Sequence, residues 1–391
     1  MSAKRYADIT CILRELSLCL FSRSRMKKLL SVASARPNFV KLAAIHHAWS
    51  ENFCDVFEHV IVHTGQHYDP LLSDIFFTQL EIPQPNHHLG IHGGTRDEAI
   101  QRTKEALLPV LTQEKPDCVL VYGDVNGACA AAHAAYQLGI PVAHVEAGLR
   151  SGDLEMPEEL NRIEIDRLSQ YLFCTEQSGI DHLNAENVSK KTFRYLVGNT
   201  MIDTLVRMMP LIEKTSMLDG ISPPFGIVTL HRPSNVDHPA TLEALLQFLH
   251  AIAVESSLQL VLPMHHRLQQ NLEKFGLLQK MNDFAVHLIE PQGYVPFLHL
   301  MKHCAFVLTD SGGMQEEAVF LQKRCFTLRR NTERPVTIEC GSNILIDPAK
   351  PEERRMVLAY AQQPAPLSIQ IPTLWDGHAG ERILAILASL T

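Results

Sequence analysis

No two cysteines in this chain stand at Cys-x-x-Cys spacing, and the nine it has are scattered and odd in number. That excludes a disulfide framework and a zinc ribbon, and reads as reduced thiols in a cytoplasmic protein. The histidines do not pair as His-Glu-x-x-His either. His46-His47, His87-His88 and His265-His266 are adjacent residues, a spacing that does not aim two imidazoles at one ion, so no metal is expected. Basic charge is not in surplus, with 35 Lys and Arg against 43 Asp and Glu and a net charge of −8. Without a basic field there is nothing to gather nucleic acid or an anionic membrane surface, and any bound anion has to be held locally. Long apolar runs are missing too. The opening stretch "MSAKRYADITCILRELSLCLFSRSR" sets basic residues before an apolar run, but Arg14 and Glu15 break it short of the roughly 20 residues a spanning helix needs. Residues 1–25 are expected to form a poorly packed extension without stable membrane insertion, and the folded chain to start at Met26.

What the chain does have is length and alternation. Its 391 residues, 46% hydrophobic and 20% charged, exceed one ordinary core, so two soluble globular domains are expected. From Met26 short apolar runs alternate with helical patterns, the signature of parallel βαβ units. Strands are expected at 29–34, 59–64, 118–123, 142–146 and 171–175, with helical stretches at 39–49, 97–112 and 127–138. A polar, turn-rich segment at 213–226 precedes a second series of strands at 226–230, 258–263, 286–290, 305–309, 325–328 and 343–346. The reading is an α/β chain with two Rossmann-like, doubly wound parallel-sheet domains, 26–212 and 213–375, facing across a cleft. A last amphipathic segment, 376–391, is expected to pack back on the first domain. In open α/β sheets ligands bind at the carboxyl ends of the strands, so chemistry is sought there.

Several such strand ends carry reactive side chains. "AFVLTDSGGMQEEA" sets Ser311, Gly312 and Gly313 between a strand and a helix opening near Met314, which reads either as a phosphate cradle on a helix N-terminus or as an ordinary turn. Glu316 and Glu317 follow in the first turn, and Glu317 offers two acceptor oxygens that suit a ribose diol. "VASARPNFVK" ends a strand with Arg36 and Lys41, cations suited to a polyanion or a solvated helix start. "VYGDVNG" and "HVEAGLRSGDLEMPEELNR" place Asp124 and Glu146 past neighbouring strands, with Glu158, Glu159 and Arg162 beyond. Asp124 can cap the next helix and Arg162 can pair with Glu158 at i,i+4. The functional reading is a cluster of carboxylates whose crowding moves their pKa values. "LHRPSNVD" supplies His231, "PMHHR" supplies His265, and "TLRRNTERP" adds Arg329, Thr332 and Glu333.

Taken in order, "SARP", "TGQHYD", "YGD", "HVEAGLRSGD", "MPEELNR", "LHRPSNVD", "TDSGGMQEEA" and "TERP" resemble the UDP-N-acetylglucosamine 2-epimerase family, from Met26 to Thr391. The resemblance implies two Rossmann-like domains of glycosyltransferase-B type, a homodimer, and neither metal nor nicotinamide cofactor. It implies reversible C2 epimerisation of UDP-N-acetylglucosamine to UDP-N-acetylmannosamine, by elimination of UDP to 2-acetamidoglucal and re-addition. Asp124, Glu146, Glu158 and His231 correspond to its catalytic residues. Arg36, Lys41, Arg162, His231, Ser311, Gly312, Gly313 and Glu317 correspond to its UDP-sugar contacts, with Phe297 of "GYVPF" as a uracil platform or a core aromatic. Gln66, His67 and His265 correspond to a possible second, activating nucleotide site, although "YDP" follows the Gln-His pair as in another branch. "VNGA" after Asp124 departs from the small hydroxylated residues of many members. Three alternatives stay open: a hydrolysing relative that releases N-acetylmannosamine and UDP, a glycosyltransferase that passes the sugar to an acceptor, and a noncatalytic UDP-sugar-binding protein.

Overall fold

A computed structural model describes residues 25–65, 76–186, 188 and 191–390. Met208–Pro372 forms one compact unit and the other described residues form a second. The expected extension 1–25 lies outside the described residues except for Arg25. In chain order the first unit holds β1 (Lys27–Ala33), α1 (Arg36–Ala48), β2 (Phe57–His63), β3 (His87–His88), α2 (Arg96–Glu114), β4 (Cys118–Tyr122), α3 (Asn126–Gln137), β5 (Val142–Val145), α4 (Pro157–Leu168), β6 (Tyr171–Cys174), α5 (Gln177–Ala185) and β7 (Phe193–Leu196). The division between the units falls within α6 (Thr200–Lys214), ahead of the turn-rich 213–226 segment. The second unit continues with β8 (Phe225–Thr229), α7 (Pro233–Val236), α8 (Pro239–Ser256), β9 (Gln259–Pro263), α9 (His266–Lys274), β10 (Val286–Ile289), α10 (Tyr294–His303), β11 (Phe306–Thr309), α11 (Gly313–Phe320), β12 (Arg324–Thr327), α12 (Pro335–Glu339), β13 (Asn343–Leu345) and α13 (Pro351–Gln362). A final helix, α14 (Ala379–Ser389), belongs to the first unit.

The first sheet has seven strands in the order β3-β2-β1-β4-β5-β6-β7, and the second six in the order β10-β9-β8-β11-β12-β13. Every adjacent pair is parallel. This is the two-sheet α/β class read from the alternation of short apolar runs and helices. All five residues of β4, "CVLVY", are buried, as befits a parallel strand covered on both faces. Leu30, Val32, Val60, Val62, Val119 and Val121 pack against Ala128, Ala131, Ala132 and Ala135 of α3, whose small side chains let the helix lie close to the sheet. In the second unit Phe306 and Phe326 meet edge-on at 6.0 Å between centroids, in a core with Leu245, Leu249 and Leu260. The chain end is fastened in the first unit: the Asp203 carboxyl accepts the Gly380 N–H at 2.7 Å at the start of α14. No helix among the described residues is long and apolar enough to cross a membrane, and all seven described cysteines are free.

Two strands escaped the sequence reading. β3 is two residues long, pairing His87 and His88 with Val62 and His63, and β7, "FRYL", is a half-exposed edge strand on β6. Neither has the buried apolar run that marks the inner strands.

Candidate active site

Strand order reverses direction between β1 and β4 in the first sheet and between β8 and β11 in the second, the switch points where open α/β sheets take ligands. At the first, Gly123 follows β4 with φ +61, and a Cβ there would lie 2.9 Å from Lys41 Nζ. The bare backbone makes room for a buried ion pair, Lys41 Nζ to Glu146 Oε2 at 2.6 Å. Lys41 is thus the counter-ion of a carboxylate, a pairing 105 positions apart that the sequence did not reveal. Glu146 itself holds φ +76, a left-handed conformation costing a non-glycine residue about 1–3 kcal/mol. The N–H groups of Glu146 and Ala147 both donate to the Phe173 carbonyl at 3.0 Å and hold that kink.

Asp124 does not cap α3, whose N-cap is Val125; its Oδ2 lies 2.6 Å from Arg162 Nη2. Arg162, by sequence either an i,i+4 partner for Glu158 or a UDP-sugar contact, also reaches Glu159 Oε2 at 2.5 Å. Buried Glu159 in turn accepts the backbone N–H groups of Ser151 and Gly152, so it pins the loop before α4. Glu158, in the first turn of α4, is partly exposed and has no ion pair or side-chain hydrogen bond among the described residues. The Arg36 guanidinium stands 5.5 Å over the Phe76 ring.

At the second switch point, His231 follows β8 and Asp310 follows β11. His231 Nδ1 lies 2.8 Å from Asp310 Oδ1, which leaves Nε2 of a 38% exposed side chain for chemistry. Fully buried Asp310 also accepts the N–H groups of His231 and Arg232 and the Asn235 amide. Burial alone would raise this carboxyl. The His231 bond and charge, the Arg232 N–H and the Asn235 amide outweigh burial and hold it below the ordinary carboxylate range. In sequence Asp310 is only one residue of the turn, because its partner lies 79 positions away. The His265 ring lies tilted, 5.6 Å from the His231 ring, and its Nδ1 accepts the Arg267 N–H at 3.2 Å to cap α9.

The turn after β11 opens α11 at Gly313, with the Ser311 N–H held by Thr309 Oγ1 at 3.0 Å. A Cβ on Gly312 would lie 2.5 Å from Glu333 Oε1 and 2.6 Å from Arg334 Nη1, so any side chain here has to displace the tips of two buried, ion-paired residues. Behind it runs a buried lattice: Arg329 Nη2 to Glu333 Oε2 at 2.7 Å, Arg334 to Glu333, and Arg334 Nε to Glu316 Oε2 at 3.1 Å. Thr332 Oγ1 donates to Gln315 Oε1 at 2.7 Å. Glu317 falls beyond the first turn of α11, where only Glu316 is found. It is buried beside Glu316 and the Tyr294 hydroxyl; burial and the Glu316 charge push it up to about 8, against the Tyr294 hydrogen bond. Phe297, in the first turn of α10, is partly exposed. Gln66 and His67 lie outside the described residues.

One cluster of possible metal donors among the described residues is not built on adjacent histidines. Cys129 and His133, at i,i+4 on α3, meet Glu164 of α4, with Sγ to Oε2 at 3.4 Å and Nε2 to Oε1 at 2.7 Å. Arg96 Nη2 already stands 2.6 Å from Glu164 Oε2, so a guanidinium supplies the positive charge there.

Comparison with known proteins places this geometry in context. The family described as UDP-N-acetylglucosamine 2-epimerase matches residues 53–388. The chain is 38% identical to the UDP-2,3-diacetamido-2,3-dideoxy-D-glucuronate 2-epimerase of Pseudomonas aeruginosa, over 93% of this chain and 100% of that one. It is 32% identical to the UDP-N-acetylglucosamine 2-epimerase of Escherichia coli K12, over 92% and 98% of the two. The crystal structure of the Methanocaldococcus jannaschii UDP-GlcNAc 2-epimerase in complex with UDP-GlcNAc and UDP superposes with a TM-score of 0.86 at 36% identity, over 93% of this chain and 99% of that one.

Proposed function

The chain belongs to the UDP-N-acetylglucosamine 2-epimerase family, and from that premise we propose that it interconverts UDP-N-acetylglucosamine and UDP-N-acetylmannosamine without hydrolysis. The observation that carries this reading is the first switch point, where Glu146 on Lys41 and Asp124 on Arg162 set two carboxylates, each with a cation, past adjacent strands. Glu158 adds a third carboxylate whose oxygens are not committed to another side chain among the described residues.

The C2 hydrogen of the sugar is not acidic, so inversion needs help from C1. As a base takes the C2 proton, the C1–O bond breaks, its electron pair leaves with UDP, and the C1–C2 double bond of 2-acetamidoglucal forms. A proton returned to the opposite face of C2, with the UDP oxygen re-adding at C1, completes the exchange. Such a route needs acid/base groups around one sugar and a clamp for the departing diphosphate. Asp124, Glu146 and Glu158 serve the proton transfers. His231, kept in one orientation by Asp310, acts with Arg36 and the Ser311-Gly312-Gly313 backbone on the diphosphate. Glu317 takes the ribose and Phe297 the uracil. The working form in this reading is a cytoplasmic homodimer without metal or cofactor.

A second substrate is favoured by one observation: the Pseudomonas relative that acts on the diacetamido-glucuronate is matched along its whole length. Both nucleotide sugars should therefore be offered and the products followed by proton NMR. A mixture of UDP-N-acetylglucosamine and UDP-N-acetylmannosamine is expected. Free N-acetylmannosamine with stoichiometric UDP would establish the hydrolysing reaction instead, and turnover of the diacetamido acid alone would reassign the substrate.

A further inference from the structure

His144 lies on β5, two residues before Glu146, and is fully buried. Its Nε2 is 2.9 Å from the Gly123 carbonyl and its Nδ1 is 2.7 Å from Asp166 Oδ1 on α4. A carbonyl oxygen only accepts, so Nε2 is the donor there. The other oxygen of Asp166 accepts the Gly148 N–H at 3.2 Å and pairs with Arg150 at 2.8 Å. These partners suit an ionised carboxylate, which also only accepts, so Nδ1 donates as well. The ring is an N–H donor at both ends, a rigid strut between two turns and a helix. Outward, Arg150 continues to Glu186 at 2.7 Å, so two cations alternate with two carboxylates along the chain.

The elements joined this way are the ones that carry the acid/base set. Gly123 immediately precedes Asp124, Glu146 follows His144 on the same strand end, and Asp166 shares α4 with Glu158 and Arg162. Apolar packing would hold α4 near the sheet, but it would not fix the Gly123 carbonyl, which sits in a left-handed turn at φ +61. We propose that the buried His144–Asp166 pair is the positioning device of the epimerase site, setting the spacing of Asp124, Glu146 and Glu158. This rests on the function proposed above and deepens it. A displacement of about 1 Å among such groups costs on the order of 100-fold in rate, while the residues assigned above to the diphosphate, ribose and uracil lie on other elements.

His144→Gln keeps one amide donor but cannot span both acceptors, and it leaves Asp166 on Arg150. The variant is expected to lose roughly 10- to 100-fold in kcat for C2 inversion, with KM and UDP affinity within about twofold. The isotope effect from C2-deuterated substrate should rise as proton transfer becomes slower than the other steps. Independently of any variant, nitrogen-15 NMR of wild-type imidazoles should show a slowly exchanging N–H at both nitrogens of His144. Undiminished kcat in folded His144→Gln, or one ring nitrogen without a proton, overturns the inference. If wild-type enzyme turns over no nucleotide sugar while both N–H signals are present, the proposed function has failed and the positioning role falls with it.

Discussion

Glu317 behaves unlike an ordinary carboxyl group. Pushed to about 8 by burial and by Glu316, it is mostly protonated near neutral pH in the ligand-free protein. A ribose diol presents two O–H donors and favours the ionised, accept-only form. UDP binding is therefore expected to release protons and to tighten as pH rises toward about 8, measurable by titration calorimetry in buffers of different ionisation heat. Affinity independent of pH would contradict the assignment. The sign for stability runs the opposite way. A carboxyl raised from 4.5 to about 8 keeps its proton longer in the folded state. Its contribution is full below 4.5 and is lost as pH climbs through 8. Glu317→Gln should accordingly melt higher than wild type in ligand-free protein at alkaline pH and match it in acid. It should also weaken UDP binding by about tenfold or more, the worth of a charge-assisted hydrogen bond. At the other strand end, His231→Ala and Asp310→Asn are each expected to lower kcat by roughly 10²–10⁴-fold. The double variant should be little worse than either single one, because Asp310 acts through His231. Multiplicative losses would show two separate roles.

Among the elements, the inner strands are legible because they are continuous apolar runs, and the helical stretches at 39–49, 97–112 and 127–138 because glycine, proline or capping residues bound them; the 18-residue helix α8 was not among those read. β3 and β7 are not legible, being short or half exposed at sheet edges where pairing, not burial, makes the strand. The turn before α11 was legible as a glycine-bearing strand-to-helix junction, but for an incomplete reason. The sequence suggested glycine for the approach of phosphate; the structure adds the crowding of Gly312 by Glu333 and Arg334. Gly312→Ala is thus expected to destabilise the second unit by about 1–3 kcal/mol even without nucleotide, seen as a lower melting temperature. An unchanged melt with weakened UDP binding would leave phosphate approach as the reason for that glycine.

Across the whole molecule, the ordered series of strand-end motifs pointed to the family because it runs nearly the length of the chain. The partnerships within the site were hidden for the same reason. Lys41 with Glu146, Asp124 with Arg162, and His231 with Asp310 are brought together only when parallel strands set distant turns side by side. The fold also builds in an acid limit. Burial lowers His59 to about 3 and His46 to about 4. Unfolded histidines take up protons near 6.5, so the stability these groups contribute is full above that pH and is lost as pH falls toward 4 and 3. His59→Gln should flatten the fall of melting temperature between about pH 6 and pH 4, and an unaltered slope would place the acid sensitivity elsewhere. Whether this chain breaks and remakes the C2–H bond of a nucleotide sugar can be read by incubating it with UDP-N-acetylglucosamine in deuterium oxide and following C2 by NMR. Deuterium is expected at C2 in both UDP-N-acetylglucosamine and UDP-N-acetylmannosamine; a bound nucleotide sugar that keeps its C2 hydrogen indefinitely would rule the epimerase reaction out.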